Sequence, residues 1–204
     1  RALTERAMQH AREKKVNNIW LHVRDDNPGA IELYAKLGFV ERARRTSWQA
    51  ATDLYAQPLE TDIAITGRHP SYWQTQLNWL SRLYPSALSW HRDWNINSLR
   101  PGFWNWFYLM FMDVNIRQWA AVRKDQLQAT LSWIPSGRGE SLFAAAGEGS
   151  APEALTALLI QARREIYQQY PNIALEFPVG RFDSAINAAG FRPLRTLIWM
   201  QATS

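Results

Sequence analysis

The same run of elements occurs twice in this chain, and that repeat constrains its fold more than any other feature. Near the start, apolar positions Leu3, Ala7, Met8 and Ala11 recur at helical spacing over 1–15, which predicts a helix with one buried face. Residues 18–24 then alternate around Ile19, Leu21 and Val23, as a strand does, and Asp25-Asp26-Asn27-Pro28-Gly29 supplies turn and capping chemistry. A second helix over about 28–37 ends at Gly38, and Phe39 leads into a strand through Trp48. At the other end of the chain the order returns: a helix over 152–169, a strand over 172–177, a short helix over 182–189, Gly190-Phe191, and a strand through Met200. Gly38-Phe39 is followed by Arg44-Arg45-Thr46-Ser47-Trp48, and Gly190-Phe191 by Leu194-Arg195-Thr196-Leu197-Ile198-Trp199.

Phe39 and Phe191 lie 152 positions apart. A repeat of that length starts its second copy near Asp62 and makes it complete, with the first copy lacking about its first two thirds. The expected organisation is therefore the C-terminal part of a first domain over 1–50, a polar linker over 51–61 containing Pro58, and a second domain over 62–204. Within the second copy, Thr61 to Thr66 reads as a strand, and 71–83 and 86–94 as helices rich in Trp and Leu. After Pro101-Gly102 come the apolar run Phe103 to Phe111 and strands around 119–122, 127–134 and 141–146, with hairpin-type loops at Lys124-Asp125 and Ser136-Gly137-Arg138-Gly139. A meander passing into helix, strand, helix and strand predicts an α/β sandwich on a mixed sheet.

Composition narrows the function. The chain of 204 residues has 23 Lys and Arg against 18 Asp and Glu, a net charge of +5 too scattered to mark a nucleic-acid surface. It has no cysteine, which excludes disulfides, thiolate metal sites and a cysteine nucleophile and fits a reducing, cytoplasmic compartment. The most apolar window, Phe103 to Met112, spans ten residues and contains Asn105, too short to cross a membrane. The chain opens on Arg1 in a charged helix without a signal-peptide core, so the native start is expected to lie upstream. The reading is a soluble protein with neither nucleic acid nor membrane as partner.

The segment Asn27-Pro28-Gly29-Ala30-Ile31-Glu32-Leu33-Tyr34-Ala35-Lys36-Leu37-Gly38-Phe39 resembles the GNAT superfamily of N-acetyltransferases, whose pattern is Asn, two residues, Ala, three residues, Tyr, then Leu-Gly-Phe. The resemblance implies a tandem GNAT-like acyl-CoA N-acyltransferase fold, with acetyl-CoA as cosubstrate and an amine, small-molecule or peptide, as acceptor. It further implies that Asn27 touches the cofactor and that Tyr34 is the general acid for the departing thiolate. A thiolate leaving group needs a donor within hydrogen-bond reach, and a phenol is one. The structural alternatives are equally concrete: Asn27 as a helix cap, and Tyr34 as a half-buried aromatic on a face with Ala30, Ile31, Leu33 and Leu37. In this family a Gly-rich loop of backbone amides holds the pyrophosphate at the start of a helix. Arg1-Ala2-Leu3 resembles the residues directly after that loop, which makes Arg1 a cofactor-side residue and leaves the first copy without its cradle, inactive in this form.

The second copy has Ala144-Ala145-Ala146-Gly147-Glu148-Gly149 at the corresponding place, so Gly147 and Gly149 are its candidate phosphate-binding residues. Ala144 stands where Gln or Arg is expected, Glu148 would repel a pyrophosphate, and Ile186 falls opposite Tyr34. The copy is expected to keep the fold and lose the chemistry. The aromatic block Trp90, Trp94, Phe103, Trp104, Trp106, Phe107, Tyr108 and Phe111 has a ligand-binding reading, but core and inter-domain packing is favoured. No metal site is read, since His10, His22, His69 and His91 form no close pair. Glu140, Glu148 and Glu176 are candidate bases that spacing does not separate. The expected function is acetyl transfer to an amine by direct attack; the competing one is a non-catalytic interaction or dimerisation module. An unpaired sheet edge in a partial first copy would pair with the second copy's sheet or with another chain, as in a homodimer.

Overall fold

A computed structural model describes residues 1–51, 59, 61–91, 95–135, 140–166 and 173–203. The chain forms two compact units: unit 1 comprises 1–47 with 193–204, and unit 2 comprises 48–192. The last strand, assigned by the repeat to the second domain, thus joins the first 47 residues in one unit. The linker positions 52–58 and 60 and the loop 136–139 lie outside the described residues, as do the ends of the predicted helices at 92–94 and 167–169 and the first residue of the strand at Asn172.

Unit 1 contains α1 (Ala2–Glu13), β1 (Asn18–Arg24), α2 (Pro28–Lys36), the greater part of β2 (Val40–Ala50) and most of the final strand, residues 191–203. β1 runs antiparallel to the final strand, from Asn18 opposite Thr203 to Arg24 opposite Leu197. The edge expected to seek a partner finds one in the last strand of the repeat's second copy. β2 lies on the other side of that final strand, where Thr46 and Thr196 share a hydroxyl hydrogen bond of 2.9 Å. The core is small: Met8, Val23, Phe39, Ile198, Met200 and Ala202, with Ala30, Ile31, Tyr34 and Leu37 of α2 packed partly against it. The face predicted for α1 is buried only at Met8, and Leu3 is 84% exposed. Periodicity identifies the helix and its apolar stripe, but whether the stripe is covered depends on what the rest of the chain brings to it.

Unit 2 is built on a five-stranded mixed sheet. Its strands are β3 (Ala64–Gly67), β4 (Arg117–Arg123), β5 (Gln126–Ile134), β6 (Glu140–Ala146) and β7 (Ile173–Pro178), arranged side by side in that order. β3 to β6 pair antiparallel, whereas β6 and β7 are parallel, joined through α5 (Pro152–Ile166) as a parallel pair requires. Lys124 and Asp125 both have positive φ, +47° and +62°, so the β4–β5 connection is a tight hairpin whose twist suits the strands. α5 is buried nearly all round, with Leu155, Leu158, Leu159 and Ile166 at most 1% exposed, and it is the centre of the larger core. α3 (Trp73–Leu83), a 3₁₀ turn over Ser86–His91, another over Ile96–Leu99, α4 (Phe103–Phe111) and α6 (Asp183–Ala188) complete the unit, and the final strand is β8 (Phe191–Thr203).

The two Gly-Phe pairs prove structurally equivalent. Gly38 and Gly190 have φ of +91° and +79°, each amide closes its helix onto Ala35 and Asn187, and Phe39 and Phe191 are buried. One expectation fails: α4 buries none of its residues. Trp104 is 80% and Phe111 79% exposed, and Phe103, Trp106, Phe107 and Tyr108 are also exposed, so this part of the aromatic block is surface and not core. The larger core is built from α5, α3 and the strands, and no residue of α4 belongs to it. Trp94 and the side chain of Trp90 lie outside the described residues. No helix among the described residues is long and apolar enough to cross a membrane.

Candidate active-site residues

In unit 1, strand β1 ends in a clamped turn. Arg24 Nη2 donates to Asp26 Oδ2 at 2.6 Å, and this hydrogen bond holds the Asp26 carboxyl below the usual carboxylate range. The next residue, Asn27, is the N-cap of α2, its Oδ1 accepting from the Ala30 amide at 3.1 Å. Pro28 follows at the first helical position, where its missing N–H costs nothing.

Seven residues along the same helix, roughly 10 Å by helical rise, stands Tyr34. Its carbonyl accepts from Leu37 at 3.1 Å and Phe39 at 3.0 Å, so the turn at Gly38 fixes its backbone. The ring is half-buried and meets Phe39 edge-on at 6.0 Å. Its hydroxyl has no hydrogen-bond partner among the described residues. Arg1 lies at the other end of the unit's first helix, exposed and paired with Glu5 at 2.9 Å. Asn27 and Tyr34 thus share one helix, while Arg1 is engaged one turn along its own.

Gly147 and Gly149 lie in the turn between β6 and α5, where a pyrophosphate cradle would need free amides. The Gly147 amide instead donates to Ser150 Oγ at 2.9 Å, and the Ala151 amide to Gln128 Oε1 at 3.3 Å. The indole of Trp79 covers Gly147 so closely that a Cβ there would lie 3.0 Å from Nε1, which explains this glycine by packing. Glu148 pairs with Arg181 at 3.2 Å, both exposed, so its charge is only partly offset. Ile186 is fully buried in α6 and offers no donor. The Gly147 amide is thus committed within the turn and Gly147 is covered, whereas a Cβ at Gly149 would meet no atom within 4 Å.

Other candidates disperse. His10 and His69 are exposed, and His22 is half-buried against Trp199, ring centres 4.0 Å apart. No group of three or more metal-ligating side chains is present among the described residues. The carbonyl of Glu176 accepts from the Tyr84 hydroxyl at 3.3 Å, and the side chains of Glu140 and His91 lie outside the described residues. Sequence reasoning missed a groove in unit 2 that contains Arg68 and Arg100, because those residues are thirty-two positions apart and neither belongs to a motif.

The mixed sheet of unit 2, with a glycine turn between a parallel strand and a buried helix, is a fold shared with GNAT-type acetyltransferases. The Acetyltransferase (GNAT) family model matches residues 1–39. That sequence match lies at the start of the chain, whereas the likeness of fold to solved GNAT structures extends over nearly all its length. A GCN5-related N-acetyltransferase from Sphaerobacter thermophilus superposes with a TM-score of 0.58 at 12% identity over 91% of this chain and 59% of its own. An acetyltransferase from the GNAT family of Colwellia psychrerythraea gives 0.54 at 12% identity over 92% and 65%. A tandem GNAT protein from the clavulanic acid biosynthesis pathway, without AcCoA, gives 0.56 at 12% over 99% and 69%. The chain therefore spans less than two thirds of the first two structures. No curated protein matches its sequence.

Proposed function

We propose that this chain is part of a tandem, cytoplasmic N-acetyltransferase that moves an acetyl group from acetyl-CoA to an amine by direct attack. The observation that carries the reading is Tyr34, half-buried on α2 within the matched segment, with a hydroxyl free among the described residues. Acetyl-CoA supplies an activated thioester. Tyr34 Oη holds the proton that the departing sulfur needs, on a ring packed edge-on against Phe39 and a backbone fixed by the turn at Gly38. Asn27 already spends Oδ1 on capping α2, which leaves its Nδ2 as the donor available to a cofactor.

For the second copy the same reading is non-catalytic. The occupied amides at Gly147 and Ala151 and the exposed apolar helix α4 favour an interaction module with a degenerate fold.

Calorimetry with acetyl-CoA on this chain and on one extended upstream by about 110 residues, the length the repeat implies, tests the assignment. Binding by the longer chain alone, with Tyr34→Phe lowering turnover and sparing affinity, supports it. Undiminished turnover in Tyr34→Phe removes Tyr34 from the chemistry, and binding by the short chain reassigns the cofactor to Gly147 and Gly149.

A further inference from the structure

Unit 2 carries a groove of about 530 Å³ bounded by the end of β3, the start of β4 and helix α4, within the size range of small-molecule sites. Its two ends differ in charge. At one, Arg68 donates through Nε to Gln118 Oε1 at 3.1 Å and through Nη2 to the Leu99 carbonyl at 2.5 Å, which places its guanidinium beside the backbone leading to Arg100. Neither arginine has a carboxylate partner among the described residues, and every acceptor holding Arg68 is neutral. Burial with no opposing acid lowers the Arg68 pKa from its ordinary value. Gly102, the N-cap of α4, supplies no side-chain cap and lines the same end. The acid of the groove, Asp113, follows the C-terminal end of α4, whereas Gly102 lies at its N-terminal end.

The wall between these ends is apolar. Trp106, Leu109 and Met110 line it from α4, with Val114 and Ile116 below. Trp106 and Met110 are 57% and 55% exposed, an apolar surface that water covers poorly. Asn105 donates to the carbonyls of Ser98 and Arg100 at 2.9 and 2.8 Å, tying the start of α4 to the arginine end and holding the groove in shape.

We propose that this groove binds a small anion with an apolar tail, its head between Arg68 and Arg100 and its tail along Trp106, Leu109 and Met110. With Nε committed to Gln118 and one Nη2 hydrogen to Leu99, the Arg68 guanidinium keeps its Nη1 hydrogens and the second on Nη2, an end-on pair that suits a carboxylate or phosphate. The tail replaces water on the exposed side chains of α4. The proposal is independent of acetyl transfer, since it uses none of the residues assigned to that reaction.

Calorimetry of the chain with octanoate, octan-1-ol and octyltrimethylammonium separates head-group recognition from apolar adsorption. Octanoate is expected to bind saturably at one site, at least tenfold more tightly than either other probe. Arg100→Gln is expected to weaken it tenfold or more. Arg100 is exposed and its side chain has no partner among the described residues, so this variant keeps the fold, whereas Arg68→Gln removes the guanidinium bonds to Gln118 and Leu99. Trp106→Ala is expected to weaken octanoate and octanol alike. Equal uptake of all three probes, or octanoate binding unchanged in Arg100→Gln and Arg68→Gln with native circular dichroism, overturns the site. Binding to phosphatidylglycerol vesicles without binding of monomeric octanoate overturns it in favour of a membrane-facing surface.

Discussion

The guanidinium of Arg163 occupies the space into which a side chain at Gly190 would project. From α5 it donates to the carbonyl of Ala189 at 2.8 Å and to that of Ala51 at 2.7 Å, and it lies over the Phe191 ring at 5.8 Å. Gly190 is thus required twice, by its positive φ and by this contact, whereas Gly38 in the first repeat has the same backbone conformation with open space around it.

Gly38→Ala is therefore expected to cost about 1–2 kcal/mol, the ordinary penalty of a left-handed alanine. Gly190→Ala carries that penalty and also displaces a buried charge from two carbonyls, for a total of about 3 kcal/mol or more. Urea denaturation of the pair decides the matter. Equal losses mean that Arg163 swings aside at no cost.

Asn27→Ala is expected to destabilise the chain by about 1 kcal/mol, because the Ala30 amide loses its acceptor, and Asn27→Asp is expected to restore it. A cap is a structural duty, so the loss appears without any cofactor. If stability is unchanged in Asn27→Ala, the side chain's role lies outside the helix.

The β6–α5 turn is satisfied by its own Ser150. Ser150→Ala is expected to cost about 1 kcal/mol by leaving the Gly147 amide without its partner. The double change Ser150→Ala with Glu148→Gln frees that amide and removes the charge, yet Trp79 still covers Gly147, so coenzyme A affinity is expected to stay absent in calorimetry. Micromolar binding by the double variant would show that the cradle was only masked.

Helix α4 contributes surface and not core. Trp104→Gln and Phe111→Gln, singly or together, are expected to shift stability by no more than about 0.5 kcal/mol each in thermal melts. A loss of about 3 kcal/mol, as for a buried aromatic, would place the helix inside an interface that persists in solution.

Much of this architecture is legible in the sequence because it is written in local chemistry. The strand at 18–24 appears at those bounds, the Asn27-Pro28 start and Gly38 stop delimit α2, and Lys124-Asp125 makes the hairpin. The Gly-Phe pairs announce the repeat, since only a few residues accept the left-handed turn that ends each helix. Tyr34 and Asn27 are legible for the same reason, sharing one helix at a spacing a pattern can record.

Tertiary structure alone decided which apolar surfaces are covered and which polar groups are used. Leu3 and the α4 aromatics have the hydrophobicity of core residues and are exposed, because burial depends on what distant segments bring to a face. The Gly147 amide is committed to a serine three residues on, and Gly147 itself is covered by a tryptophan sixty-eight positions earlier. Arg68 bonds the Leu99 carbonyl and lines the same groove as Arg100, with no spacing to reveal it. Helix starts and turns depend on the nearest few residues; packing and charge compensation depend on residues far apart in the chain, and only the fold brings those together.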